Sequence, residues 1–253
     1  MRGNTAILFV LPVWSLLMRE ILRFLRQRNR IIGALGTPLL FWVVLGAGFG
    51  DLQLFFPGAL LMVVLFTAIF ASISIIEDRN EGFLQGVLVA PVSRLAIVLG
   101  KVLGGAILGC MQGVILLLLA PLSGTSYGPV EFIAAVGVIF LIAMALSALG
   151  FLFAWRMDSV QGFHAVMNLL LFPMWMLSGA FFPASGASTA IQLLMTVNPL
   201  SYGLGALRRV LYGEAMADSL GDPSLLSSLG VTVGFAVLTM AVAVWMAGRP
   251  EKN

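Results

Sequence analysis

Charge is scarce in this chain, and the scarcity excludes most soluble folds. Asp, Glu, Lys and Arg supply 10% of its 253 residues and hydrophobic types 60%, whereas soluble domains carry about a quarter charged residues. Mean hydropathy is +1.05, so lipid is the expected solvent. Histidine occurs once, as His164, which excludes a zinc-binding histidine pair. Cysteine also occurs once, as Cys110 inside an apolar run; an intramolecular disulfide is excluded and no thiol metal site is suggested. A phosphate loop is missing too. Gly100–Lys101 is followed by Val102 and lacks the upstream glycine of G-x-x-x-x-G-K-[ST], so the chain cannot hydrolyse ATP by a P-loop mechanism. Gly124–Gly128 matches the G-x-S-x-G pattern around Ser126. That elbow needs a strand before it, a helix after it and a histidine in reach, whereas His164 belongs on the other side of the bilayer. The match is read as chance.

What the sequence has in quantity is apolar helix. Six segments are long enough to cross a hydrocarbon core of roughly 30 Å, which takes about 20 helical residues. They are placed at 31–50, 57–76, 102–120, 132–155, 163–182 and 225–247. The runs are continuously apolar rather than alternating, which selects helices over barrel strands. The fold class is therefore all-α integral membrane, one transmembrane domain over 1–253. The apolar run Thr5–Met18 resembles a signal peptide, but Pro12 interrupts it and Arg19–Glu20 follows without a small-residue cleavage pattern. It is expected to stay on the mature protein.

Six spans put both ends on one side with the loops 77–101 and 156–162. That side holds twelve basic residues and the opposite side two, Arg208 and Arg209. The asymmetry predicts cytoplasmic termini in a multi-pass protein of the cell inner membrane. Because the positive charges sort by membrane side, the net charge of +3 does not indicate nucleic acid.

Ahead of the first span, residues 12–30 read as a helix along the membrane surface. Trp14, Leu17, Met18, Ile21 and Leu25 form an apolar stripe, and Arg19, Arg23, Arg26 and Arg30 a basic one that can face lipid headgroups or a partner. Gly105, Gly109 and Gly113 in the third span make overlapping small-xxx-small steps that let another helix approach closely, expected to be one of the same subunit, with a dimer contact as the alternative. Gln161, His164 and Asn168 recur on one face of the fifth span; such a stripe avoids lipid and faces either a neighbouring helix or a transport path. The connection from Phe182 to Ser224 is too apolar for an ordinary loop, and 187–197 and 200–212 are too short to span. They fit short helices dipping back into the outer leaflet.

The most informative stretch is the polar loop Ile76–Lys101. Glu77, Asp78, Arg79 and Glu81 open it, Gly82 permits a tight turn, and an amphipathic run with Phe83, Leu84, Val87 and Leu88 leads to Pro91. This wording resembles the coupling loop, here about 77–95, of the type-2 ABC exporter permeases. Arg79, Glu81, Gly82, Pro91, Gly100 and Lys101 match the family's pattern; Asn80 intervenes and Phe83 stands where a hydroxyl residue is common. A second matching region holds Pro183, the Asn198–Pro199 turn and Arg208, in the place of the family's re-entrant outer segment.

The resemblance implies a permease driven by two copies of a cytoplasmic ABC ATPase and working with a second permease, either another copy in a homodimer or a similar chain. ATP and Mg would be used by that partner, and no cofactor would be bound by this chain. The ATPase would dock on Glu77, Asp78, Arg79, Glu81, Gly82, Phe83, Leu84, Leu88 and Pro91. Cargo would pass between the first and fifth spans. With almost no ionisable residue mid-span, amphipathic or lipid-like cargo is expected: a drug, a lipid-linked glycan or a lipo-oligosaccharide. A non-transporting assembly or sensor subunit, or a membrane-embedded enzyme, are the alternatives.

Overall fold

The structure, a computed structural model, describes residues 5–249, without the side chains of 5–8 and 28–30. All regular structure among these residues is helical: α1 (Thr5–Arg26), α2 (Arg28–Phe49), α3 (Leu52–Ala71), α4 (Ile73–Asn80), α5 (Phe83–Val89), α6 (Arg94–Leu117), α7 (Pro129–Arg156), α8 (Val160–Trp175), α9 (Thr189–Val197), α10 (Pro199–Tyr212), α11 (Glu214–Ser219) and α12 (Leu225–Ala247). Six segments are long and apolar enough to cross a membrane: Ile31–Phe49, Leu52–Asn80, Arg94–Leu117, Pro129–Arg156, Val160–Ala180 and Leu225–Ala247. Each coincides with an expected span.

Polar caps mark where these helices begin. Asp51 accepts from Leu54 N at 2.8 Å, Ser93 from Ala96 N at 3.2 Å, and Ser159 from Gly162 N at 3.1 Å. Each satisfies a backbone donor that has no partner inside the helix. The second span starts at Leu52 instead of 57, passing through Pro57. Proline removes the donor that would bond the carbonyl four residues earlier, which is Gln53 O. Tyr212 Oη donates to that oxygen at 2.5 Å, so a side chain from α10 replaces the missing bond and the helix continues.

The second span is the hub. In its most apolar stretch 89% of residues are buried, against 17% in the first span and 22% in the last. The third span packs on it through the glycine stripe. A Cβ added at Gly105 would lie 2.3 Å from Ser147 Oγ, one at Gly109 would lie 3.2 Å from both Ala68 and Ala143 Cβ, and one at Gly113 would lie 2.7 Å from Ile139. These three positions therefore bring α6 against α3 and α7 of the same subunit.

A second small-residue groove on α6 receives α1. Cβ atoms at Gly100 and Gly104 would meet Leu16 at 2.7 Å and Glu20 at 2.8 Å. This docking rotates α1 relative to the expected stripe: Leu16, Leu17, Glu20 and Phe24 are buried, while Trp14 and Leu25 are exposed. The basic end of the molecule, where α1, α4 and α5 meet, is thus built onto the spans.

At the other end, the fifth span finishes in a π turn, Met176–Ala180, with Gly179 at φ +92. Only glycine adopts that backbone readily. The chain then folds back through α9 and α10. At 1.5 Å per residue, the 14 residues of α10 reach about 21 Å, too short to cross.

Candidate coupling and translocation site

Asp78 closes the second span and is fully buried. Its Oδ2 accepts from Arg19 Nη1 at 2.6 Å and its Oδ1 from Arg23 Nη1 at 2.9 Å, and it also pairs with Lys101. Lys101 Nζ donates to Glu20 Oε1 at 2.5 Å and to Ser74 Oγ at 3.2 Å. Helical spacing explains the convergence. Ser74 and Asp78 are four residues apart on one face of α4, opposite Lys101 on α6. A buried charge costs several kcal/mol unless it is paired and hydrogen-bonded, and here every carboxylate of the core faces a cation. The Asp78 hydrogen bond raises the Arg19 guanidinium above its ordinary value, so Arg19 stays charged.

The cluster reaches the short helix that follows. The Arg19 guanidinium lies 3.8 Å from the Phe83 ring centroid, and Arg23 pairs with Glu77 at 2.9 Å and Glu81 at 3.3 Å. Gly82, at φ +79, makes the turn between α4 and α5. Arg79 points into the bundle. It donates to Trp155 O at 2.6 Å and to Met157 O and Asp158 Oδ1 at 3.1 Å, capping carbonyls at the end of α7.

Asp78, Arg79 and Leu84 were expected on the partner-facing surface, but they point inward because α4 prolongs the second span and carries its buried face into the loop. Leu84 joins the main core and Leu88 packs against it. Of the expected docking residues Glu81, Gly82, Phe83 and Pro91 stay exposed, and beside them Val89 is 87% exposed. Arg19 and Arg23 likewise turn inward, toward Asp78, rather than toward headgroups. Arg26 is exposed, and the side chain of Arg30 lies outside the described residues.

A cleft of about 640 Å³ opens from the basic end between the first, second and fifth spans. Phe41, Phe66, Phe70 and Phe172 give it aromatic walls, with Thr37, His164 and Asn168 among them. The His164 ring packs on Phe70 with centroids 4.7 Å apart. Gln161 is not part of this lining; its Oε1 accepts from Ser159 Oγ at 3.3 Å at the start of α8. The polar stripe thus divides into a first-turn residue bonded to the Ser159 cap and two cleft residues.

At the opposite end Asn198 Nδ2 donates to Met174 O at 2.6 Å, while its Oδ1 caps Leu200 N at 3.1 Å. Pro199 then starts α10. Pro183 precedes the 3-10 turn Ala184–Gly186. Arg208 is buried, donating to Gly179 O at 2.8 Å and to Asp222 Oδ1 at 3.1 Å. It holds the kink of the fifth span from behind. Burial pushes the Asp222 carboxyl above its ordinary value despite Arg208 and Arg209.

Sequence reasoning missed Glu20, Ser74 and Asp222, and it read Lys101 only as part of a motif. A signal existed for the grouping of Glu20 with Asp78 and Lys101. Glu20, Asp78 and Lys101 each abut an apolar run at one membrane edge, where an unpaired charge is costly.

The family model for ABC-2 type transporters matches residues 12–212. Among similar proteins is the putative transport permease ycf38 of Cyanophora paradoxa, 24% identical across 94% of this chain and 87% of its own length. The probable doxorubicin resistance ABC transporter permease protein DrrC of Mycobacterium tuberculosis is 25% identical, covering 96% and 90%. The inner membrane transport permease YadH of Escherichia coli is 25% identical, covering 91% and 92%.

Proposed function

The chain belongs to the ABC-2 type transporter family, and from that premise we propose that it is the permease of an ATP-driven exporter of amphipathic or lipid-like molecules. Transport is the family's work, in association with an ABC ATPase. The finer reading puts the basic end and both termini on the cytoplasmic side of the inner membrane. Two ATPase copies, holding ATP and Mg, drive a homodimer of this chain. The first span, with most of its surface uncovered, supports a role at the interface between copies.

The observation that carries the proposal is the exposed face of α5 on a rigid base. Phe83 and Val89 project from α5 and Glu81 from the turn before it, tied through Arg19 and Arg23 to the buried Asp78–Lys101–Glu20 cluster. A push on α5 is passed to α1, α4 and α6 together, because separating them would expose buried ion pairs. The cleft beside the fifth span, aromatic with a few polar groups, supports drug-like or lipid-linked cargo, in keeping with the resistance named for the mycobacterial relative.

The test uses Glu81→Lys, Val89→Asp and Gly82→Val, co-expressed with an ABC ATPase. Each should insert normally but lose co-purifying ATPase and export of a fluorescent amphipathic drug, since wrong charge or a strained turn disrupts docking. Intact complex and export in all three would reduce this loop to a connector.

A further inference from the structure

The basic-end cleft belongs to the transport path, but a separate pocket of about 290 Å³ lies at the opposite end, behind the kink at Gly179. Its lining has an unusual hydrogen-bond balance. Ser178 Oγ donates to Trp175 O, Thr196 Oγ1 to Leu193 O, Ser201 Oγ to Leu177 O and Tyr202 Oη to Thr196 O. Gln192 Nε2 donates to Ala184 O and Ala187 O. These side-chain donors are spent on backbone carbonyls. A hydroxyl that donates its hydrogen keeps lone pairs, and an amide keeps its carbonyl oxygen, so the pocket mainly presents acceptors.

Asp222 adds charge. It lines the same pocket, its side chain is only 6% exposed, and its buried Oδ2 has no hydrogen-bond donor. Two guanidiniums, Arg208 and Arg209, stand near it, but they face three carboxylates: Asp222, Glu214 and Asp218. The balance at this end favours a cation. A divalent metal fits poorly, because such ions take several carboxylate or carbonyl ligands, and no group of three or more His, Cys, Asp or Glu suited to a metal occurs among the described residues.

We propose that this pocket binds a primary ammonium group, of a small amine or of an amine-bearing lipid headgroup. An ammonium supplies three N–H donors to a wall that offers lone pairs, and its charge is met by the carboxylate in that wall. A quaternary ammonium carries charge without donors and should be refused. Because the pocket backs on Gly179, which Arg208 clamps, occupancy would brace the kink at the end of the fifth span.

The test is thermal unfolding of the full chain in lipid nanodiscs. Ethanolamine and choline are titrated in discs of phosphatidylglycerol alone and in discs that also contain phosphatidylethanolamine. Ethanolamine should raise the melting temperature saturably in the first discs, and choline should not. If the lipid headgroup is the occupant, the second discs start out stabilised and added ethanolamine does little; if a soluble amine is the occupant, both respond alike. Asp222→Asn and the near-isosteric Thr196→Val should each weaken ethanolamine about tenfold, as expected for one hydrogen bond to a charged group. Thr196 lies on the surface of α9, so its variant keeps the test valid if Asp222→Asn fails to fold. The proposal is overturned if choline matches ethanolamine, if neither lipid nor free amine changes the melting temperature, or if the folded variants bind like the wild type.

Discussion

The molecule carries a cluster of ion pairs at each end, and the two are built differently. At the basic end the partners lie far apart in sequence, with Arg19 bonded to Asp78 and Lys101 to Glu20 across 59 and 81 positions. At the opposite end Arg209 pairs with Glu214 and Asp218, and Arg208 with Asp222, all within 14 positions. Among the described residues of this cluster, the bond from Arg208 to Gly179 O is the one that reaches a span. A long-range cluster fixes how helices stand relative to one another, whereas a local one shapes a turn. The basic end is suited to passing motion between helices, and the other end to holding a kink.

The largest expected effect comes from breaking the long-range cluster. Lys101→Met leaves Glu20 and Asp78 buried with one cation fewer, and losing one partner of a buried pair costs about 3–5 kcal/mol. Its melting temperature in detergent should fall steeply, and adding Glu20→Gln should recover part of the loss. The glycine stripe that supports both ends comes next. Gly105→Val forces a side chain into the space held by Ser147 and Ala68, an overpacking worth about 1–3 kcal/mol, read by the same melt.

The opposite end should be gentler and should depend on pH. Burial raises the Asp222 carboxyl, so the folded chain binds that proton more tightly than the unfolded chain does. Its contribution to stability therefore grows as pH falls through the raised folded value, and levels off below the ordinary carboxylate value. Asp222→Asn should flatten that part of the stability–pH curve, and because it leaves the buried Arg208 without its carboxylate it should also lower the melting temperature at neutral pH. Smallest of all, Arg26→Ala removes an exposed charge outside both clusters and should stay within about 0.5 kcal/mol of wild type. A loss comparable to that of Lys101→Met would erase the distinction between the clusters and their surroundings.

How much of this was readable in the sequence follows from the same physics. Span positions were legible because hydrocarbon thickness sets a length that apolar runs either meet or miss. The start of the second span was placed five residues late, and the side chain that lets the helix run through Pro57, Tyr212, sits more than 150 residues later. The small-residue steps at Gly105, Gly109 and Gly113 marked a close helix contact, and Gly82 marked a turn. Which charges face inward was not legible. Asp78 and Glu81 read alike in a string of acidic and basic residues, and only the helical continuation of α4 past Ser72 turns the first toward Lys101 and leaves the second outside. The stripe of Gln161, His164 and Asn168 was legible as one that avoids lipid, but not that His164 and Asn168 would line a cleft while Gln161, at the same spacing, bonds Ser159 in the first turn of α8.

If the buried cluster carries force from α5 to the spans, coupling in the assembled transporter measures it directly. Asp78→Asn leaves the exposed face of α5 unchanged while weakening the bonds to Arg19, Arg23 and Lys101. Reconstituted with its ATPase in proteoliposomes, the variant should bind the ATPase and hydrolyse ATP near the wild-type rate, yet move several-fold less cargo per ATP. An unchanged ratio of transport to hydrolysis in a folded Asp78→Asn complex would contradict the claim.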